Sequence, residues 1–371
     1  MTGKEIKKPV ILVAPLEWGL GHATRLVPVI RKLIESDLTV IAGADGLPLE
    51  FLREEFPGLR YVRIPGYRFS YPSGSAMTLK MLLQAPVILR GIRREHRLLA
   101  KIIREYEVDA VISDNRFGLW SNEVVSVYMT HQLFIQPPAR LPWLKGILAR
   151  LHHRYIRRYD FCWVPDFADK PNLSGELSHG DLPDLRIRYM GPLSRFEVSE
   201  SESSVGQAPD VLALVSGPEP QRTLFEELLT EALKNHPGHH ILAAGLPGTK
   251  QNSQPRKNGN LTLYNHLPSK TLSGMIRGAK TIICRPGYST LMDLACFGKK
   301  AILIPTPGQT EQEYLAQHLE REGLYPSFRQ DNFDLNEALE KLRDYRGIRL
   351  PGNHHLLQEA VNELLMQLSR H

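Results

Sequence analysis

The chain has 371 residues, 42% of them hydrophobic, 23% charged and 8% aromatic, with three cysteines and a net charge of +6. That length exceeds one compact α/β unit and suits two domains, and the composition excludes a disordered chain, a collagen-like repeat and a small disulfide scaffold. Cys162, Cys284 and Cys296 stand at no C-x-x-C spacing, so a reducing cytoplasm and no metal site are expected.

Residues 1–8 are polar, and the apolar run after them, residues 9–15, is too short for the apolar segment of a signal peptide. No later run reaches the roughly 18 apolar residues that a bilayer span needs. Residues 1–195 hold 28 Lys and Arg against 20 Asp and Glu, a net +8; residues 196–371 hold 18 against 20, a net −2. Residues 51–104 alone carry 11 basic and 3 acidic side chains. Such a field suits an anionic lipid surface or an anionic substrate, and a plain solvated face accounts for it equally well.

Residues 10–14 form a continuous apolar run, as expected of a strand buried on both faces of a parallel sheet. The loop after it reads Glu17-Trp-Gly-Leu-Gly-His22-Ala-Thr-Arg25, and helical spacing follows at Leu26, Val29, Ile30, Leu33 and Ile34. Gly19 and Gly21 let a ligand approach the backbone closely. His22 stands where helix N–H groups favour an anion, and its imidazole can take a proton from a hydroxyl or water near neutral pH. Further strands are expected at 38–42, 108–113 and 124–129, a short helix at 48–56, and a long helical stretch at 80–106 broken near Pro86. Asp114-Asn115-Arg116 and Thr130-His131-Gln132 each follow a strand; acceptor contact and a hydrogen-bonded turn both fit them. Residues 144–159 alternate apolar and basic side chains, as an interfacial or an ordinary surface helix would. The adjacent histidine pairs do not put two rings on one helical face, so no metal site is expected there.

Residues 196–209, with three glutamates and four serines, have a linker composition. A second βα series follows, with strands expected at 211–215, 240–244, 261–264, 281–284 and 301–304. The pattern predicts two Rossmann-like, doubly wound α/β lobes facing across a cleft. Their bounds are 1–195 and 210–350, with residues 351–371 as a C-terminal helix that crosses back to the first lobe. Ser216-Gly217-Pro218-Glu219-Pro220-Gln221-Arg222 is a strand-to-helix turn able to hold a phosphate. Cys284-Arg285-Pro-Gly287-Tyr-Ser289-Thr290-Leu-Met-Asp293 opens another helix; its hydroxyls and N–H groups offer phosphate donors, and Asp293 shares the face of Ser289 and Thr290, where it can accept from ribose hydroxyls. Gln312 and Glu313 begin the next helix and can grip sugar hydroxyls.

Residues 261–314 resemble the C-terminal lobe of glycosyltransferase family 28 in its MurG-like pattern, C-R-S-G-A-x-T-x-x-E-x-A-x-x-G followed by a proline loop and Q-Q-Y. Cys284, Arg285, Gly287, Thr290, Ala295, Gly298, Pro305, Gln312 and Tyr314 keep that spacing; Pro286, Asp293 and Glu313 depart from it. The first loop resembles the G-x-G-H-x-x-R motif of the same family and of a related nucleotide-sugar hydrolase. The resemblance implies the GT-B fold and an inverting, metal-independent transfer of a sugar from a nucleotide-sugar, a UDP-sugar, to a hydroxyl acceptor, of the hexosyl- or N-acetylhexosaminyltransferase type. It implies His22 as base, with Glu17 or Asp114 as substitutes. The nucleotide-sugar would be held by Gly19, Gly21, Arg25, Ser216, Gly217, Arg222, Arg285, Gly287, Ser289, Thr290, Asp293, Gln312 and Glu313. It further implies no cofactor beyond the co-substrate, a lipid-linked or small-molecule glycan acceptor of the cell envelope, no nucleic acid, and a cytoplasmic protein peripheral to the inner face of an anionic membrane. A nucleotide-sugar hydrolase and a non-catalytic nucleotide-sugar binder are the alternatives on the same fold.

Overall fold

Seven short strands, the central ones buried and the two outermost partly exposed, set the frame of the first lobe. They are β1 (Val10–Pro15), β2 (Thr39–Ala44), β3 (Arg60–Arg63), β4 (Ala110–Asp114), β5 (Val125–Met129), β6 (Phe161–Val164) and β7 (Ile187–Tyr189). All pair in parallel in the order β3-β2-β1-β4-β5-β6-β7. The structure is a computed structural model that describes residues 7–17, 19–66, 77–138, 141–181, 185–196, 208–248, 254–351 and 354–370.

The second sheet contains β8 (Val211–Leu214), β9 (His240–Ala243), β10 (Arg256–Asn258), β11 (Leu261–Tyr264), β12 (Thr281–Cys284) and β13 (Ala301–Leu303), in the order β10-β11-β9-β8-β12-β13. Only β10 runs antiparallel, as a hairpin on β11. With that hairpin set aside, both sheets show the doubly wound order in which the first strand lies beside the fourth. The order in which strands are added therefore reverses at β1/β4 and at β8/β12, and ligands of such sheets bind outside those strand ends. β1, β4, β5 and β12 are buried along their whole length, which explains why each reads as a mostly apolar run.

The helices follow from periodicity. α1 (Gly21–Glu35) buries Leu26, Val29, Ile30 and Leu33 completely, one stripe of its surface. α2 (Gly46–Glu55) starts two residues before the expected 48–56, because the Asp45 carboxylate accepts from Gly46 N–H at 3.0 Å and caps it there. α3 (Met77–Tyr106) runs through Pro86, so the expected break is absent; the ring removes one hydrogen bond without ending the helix. The remaining helices are α4 (Leu144–Ile156), α5 (Gln221–Lys234), α6 (Ser269–Gly278), α7 (Tyr288–Phe297), α8 (Thr310–Arg321), α9 (Leu335–Lys341) and α10 (His354–Leu368). α10 packs on α1 and β5 of the first sheet, with Leu357, Ala360, Val361 and Leu364 buried, and Arg188 Nε donates to Glu363 at 3.0 Å. The seam expected at 196–209 lies outside the described residues from 197 to 207.

Candidate active site

The turn between β1 and α1 places His22 at the first switch point. Gly19 takes a left-handed φ of +79°, which lets the chain turn from strand into helix. Gly21 is needed for closeness rather than conformation: a Cβ there would lie 3.3 Å from Ser289 Oγ, on the opposite lobe. That hydroxyl donates to the Gly21 carbonyl at 2.6 Å, so the N-terminus of α1 abuts the N-terminus of α7. Neither helix has a side-chain cap, and their first-turn N–H groups point toward the same region between the lobes.

Around His22 the structure assembles a buried polar network. Asp114, at the end of β4, has no exposed surface, and its Oδ2 lies 3.1 Å from His22 Nδ1. Arg25, one turn along α1, donates from Nε to the same oxygen at 2.7 Å and also pairs with Oδ1. Its Nη2 reaches His22 Nδ1 at 2.9 Å, and its Nη1 donates to His131 Nδ1 at 2.7 Å. Burial pushes the Asp114 carboxyl upward, but Arg25 and His22 outweigh it and hold it below its ordinary value. Burial lowers the His22 imidazole below 6.5; Asp114 opposes that shift in part, and Arg25 adds to it. A neutral imidazole beside a fixed carboxylate can accept a proton at neutral pH.

His131, two residues beyond β5, carries the network to the second lobe. Its Nε2 lies 2.8 Å from Glu311 Oε1 at the start of α8, and its ring stacks on Tyr288 with centroids 4.2 Å apart. Tyr288 in turn donates to the Pro165 carbonyl at 2.9 Å. Thr310 Oγ1 donates to the Gln136 carbonyl, and Glu176 N–H donates to Tyr314 Oη, so α8 also meets the first lobe on both sides of this point.

Several expected contacts differ. Arg25 is buried with its guanidinium committed to Asp114, His131 and His22; it organises the histidines and offers no face to a nucleotide. Arg285 is likewise fully buried; it donates to the carbonyls of Ile304, Pro305 and Gln221 and to Gln330, and stacks over Phe225, so it braces the second sheet instead of gripping phosphate. Glu17 turns away from the network: its carboxylate accepts from Gly66 N–H at 2.7 Å and ties down the chain after β3. Asp114, through its burial and ion pair, orients His22 and has no path to an acceptor of its own.

The other expected residues lie about the second switch point. Gly287, Ser289 and Thr290 form the first turn of α7, partly exposed. Ser216 is exposed, Gly217 has a φ of +115° with open space around it, and Arg222 is held between Glu219 and Glu226. Asp293 is buried, accepts from Ser194 Oγ at 2.8 Å and lies 3.6 Å from Arg195 Nε. The Gln312 amide oxygen accepts from Thr306 N–H and the Glu313 carboxylate from Gly308 N–H, so both side chains brace their own loop. Glu311, the neighbour that sequence reasoning passed over, is the one that crosses the cleft. Among the described residues no group of three or more His, Cys, Asp or Glu is placed to hold a metal ion.

Residues 226–350 match the glycosyltransferase family 28 C-terminal domain. An uncharacterized glycosyltransferase of Methanosarcina acetivorans is 24% identical over 318 residues, 82% of this chain and 82% of that protein. A Desulforudis audaxviator protein is 23% identical over 309 residues, 79% of this chain and 77% of the relative; it is named UDP-N-acetylglucosamine–N-acetylmuramyl-(pentapeptide) pyrophosphoryl-undecaprenol N-acetylglucosamine transferase. Among solved structures, the calicheamicin glycosyltransferase CalG4 superposes with a TM-score of 0.59 at 15% identity, covering 98% of this chain and 96% of its own. The chain is a glycosyltransferase of the GT-B fold, and within its second lobe residues 226–350 match the family 28 C-terminal domain.

Proposed function

We propose that this glycosyltransferase uses a nucleotide-sugar, a UDP-sugar, as donor and a lipid-linked hydroxyl as acceptor, with inversion at the anomeric carbon and no metal or other cofactor. The observation that carries the reading is the His22–Asp114 pair at the β1/β4 switch point, facing the uncapped N-terminus of α7 across the cleft. His22 Nε2 takes the acceptor's proton as the acceptor oxygen attacks the anomeric carbon. The bond from that carbon to the diphosphate oxygen breaks on the opposite side, and its electron pair leaves with the nucleotide. Charge growing on the diphosphate meets the N–H groups of Gly287–Thr290 and the positive end of the helix. The printed name of the Desulforudis relative includes both a UDP-sugar and an undecaprenol-linked substrate, which supports the choice of donor and acceptor class.

An anionic membrane surface is the proposed place of the reaction. Trp143 at the N-cap of α4 and Ile147 and Leu151 on it are exposed four residues apart, beside exposed Arg150 and Arg154, and α4 contains no acidic residue. On α3, exposed Val87 and Leu89 stand with Arg90, Arg93, Arg94 and Arg97. The two helices share one side of the lobe: His96 of α3 stacks on Trp120, and Arg158, just beyond α4, lies over the same indole. Apolar side chains flanked by cations suit the headgroup region of anionic lipid, and no helix among the described residues is long and apolar enough to cross a membrane.

Incubation with a panel of UDP-sugars, with and without membrane lipid extract in anionic vesicles, tests the reading. It expects UDP release that depends on the extract, and sedimentation with anionic vesicles that fades as salt rises from about 0.05 to 0.5 M. UDP release at the same rate without extract would make the protein a hydrolase, and tight binding with no release would make it a binder.

A further inference from the structure

The His22 network does not end in the first lobe. His131 is held from the second lobe on two sides, by the Glu311 carboxylate at its Nε2 edge and by the Tyr288 ring on its face. Glu311 is only 23% exposed at its side chain, and the nearby His131, His22 and Arg25 outweigh its burial and keep it anionic. Arg25 has no acceptor, so it must donate to His131 Nδ1; the proton of neutral His131 therefore sits on Nε2 and is donated to Glu311. One edge of His131 reads the second lobe and the other holds Arg25.

Arg25 matters because two groups address the same His22 nitrogen. Asp114 Oδ2, at 3.1 Å, needs Nδ1 to carry a proton; Arg25 Nη2, at 2.9 Å, needs it bare. Only the first tautomer leaves Nε2 with a free lone pair, the form a base requires. An Arg25 whose Nη1 is anchored to His131 cannot swing fully toward His22. An Arg25 released from that anchor still pairs with Asp114 through Nε and Nη2, but it can tilt about those bonds toward His22, which would put the His22 proton on Nε2 and silence it.

We infer that the Glu311–His131 pair is a latch between the lobes that positions His22 as a base, acting through Arg25, so that proton acceptance is enabled only where the second lobe meets the first. Glu311 is thus a positioning residue for the reaction. The start of α7, which carries Tyr288, is also the helix end proposed to receive the donor diphosphate, and Glu311 stands at the start of α8. This inference rests on the reading of His22 as base, and its test separates the two.

The test compares Glu311→Ala and Glu311→Gln with the wild type in three measurements: kcat and KM with the donor identified in the panel, UDP affinity by calorimetry, and nitrogen-15 imidazole spectra, with His22→Asn and His131→Asn to assign the signals. Glu311→Ala should lower kcat by about 10–100-fold, the scale of a misplaced catalytic group. UDP affinity should stay within about threefold. Glu311→Gln, whose amide oxygen still accepts from His131, should recover most of the rate. The His22 signals should move toward the Nε2-protonated tautomer in Glu311→Ala, although residue 311 makes no hydrogen bond to His22. Unchanged kcat, a loss confined to KM and UDP affinity, or a His22 spectrum that ignores the substitution would each overturn the latch. Should His22→Ala turn over normally while Glu311→Ala still shifts the His22 spectrum, the coupling from Glu311 to the His22 tautomer is real but the base assignment, and with it the latch's role in the reaction, falls.

Discussion

Burial raises the Asp293 carboxyl from 3.8 to about 6, with Arg195 and the hydrogen bond from Ser194 opposing the shift. A folded pKa above the unfolded one means that the folded state holds the proton more tightly. That contribution to stability is present below the unfolded value of 3.8 and is lost as pH rises through 6. Asp293→Asn keeps an acceptor for Ser194 and has no charge to bury. Its stability relative to wild type should therefore improve by about 2–3 kcal/mol between pH 4 and pH 8, read from denaturant unfolding at both. A difference that does not change with pH would mean that Arg195 fully neutralises the carboxylate. Single residues were unevenly legible in the sequence. His22 stood out because a strand, two glycines and a helix surround it. Arg25 and Arg285 flank glycine-rich loops and read as phosphate clamps; that both are buried is set by neighbours up to 106 and 64 residues away. Glu311 sits beside two other polar candidates, and only a partner 180 residues distant singles it out.

Two helix starts, α1 at Gly21 and α7 at Ser289, meet across the lobes, and their contact depends on the missing Cβ of one and the hydroxyl of the other. Gly21→Ala puts a methyl 3.3 Å from Ser289 Oγ, so the hydroxyl must move and its bond to the Gly21 carbonyl lengthens. Alone, Gly21→Ala should destabilise the protein by about 1 kcal/mol despite the better helix propensity of alanine. Added to Ser289→Ala it should be neutral or stabilising, because the obstructing oxygen is gone; a thermal-melt double-mutant cycle checks the pair. Additive effects would mean that the two helix starts do not press on one another. Buried strands were legible even when short, and exposed ones were not. β1, β4, β5 and the four-residue β12 are buried from end to end, whereas β3, β7 and β10 have partly or fully exposed side chains. α3 ignores Pro86, since its register is fixed further along by buried Ile92, Leu99, Ile102 and Ile103.

Two sheets with the same strand order, facing each other by their carboxyl ends, place loops that lie far apart in sequence at one cleft. The doubling was visible as a pattern of strands that restarts after a polar seam; the facing of the lobes was not, because no residue on either side encodes the other's position. What the assembled molecule adds is continuity: Ser289 to Gly21, Glu311 to His131 and Thr310 to Gln136 join the lobes at the point where His22 sits. The central claim is that His22 accepts the acceptor's proton while the second lobe holds the nucleotide, and one variant tests it. His22→Ala should lower kcat by about 10²–10⁴, the range for general base catalysis. Its UDP affinity by calorimetry should stay close to wild type, and its pH–rate profile should lose the acidic limb, which in the wild type falls below the ordinary histidine value of 6.5 because burial lowers the imidazole. A variant that turns over at the wild-type rate, or one that keeps its acidic limb and instead binds the nucleotide-sugar weakly, would contradict the account.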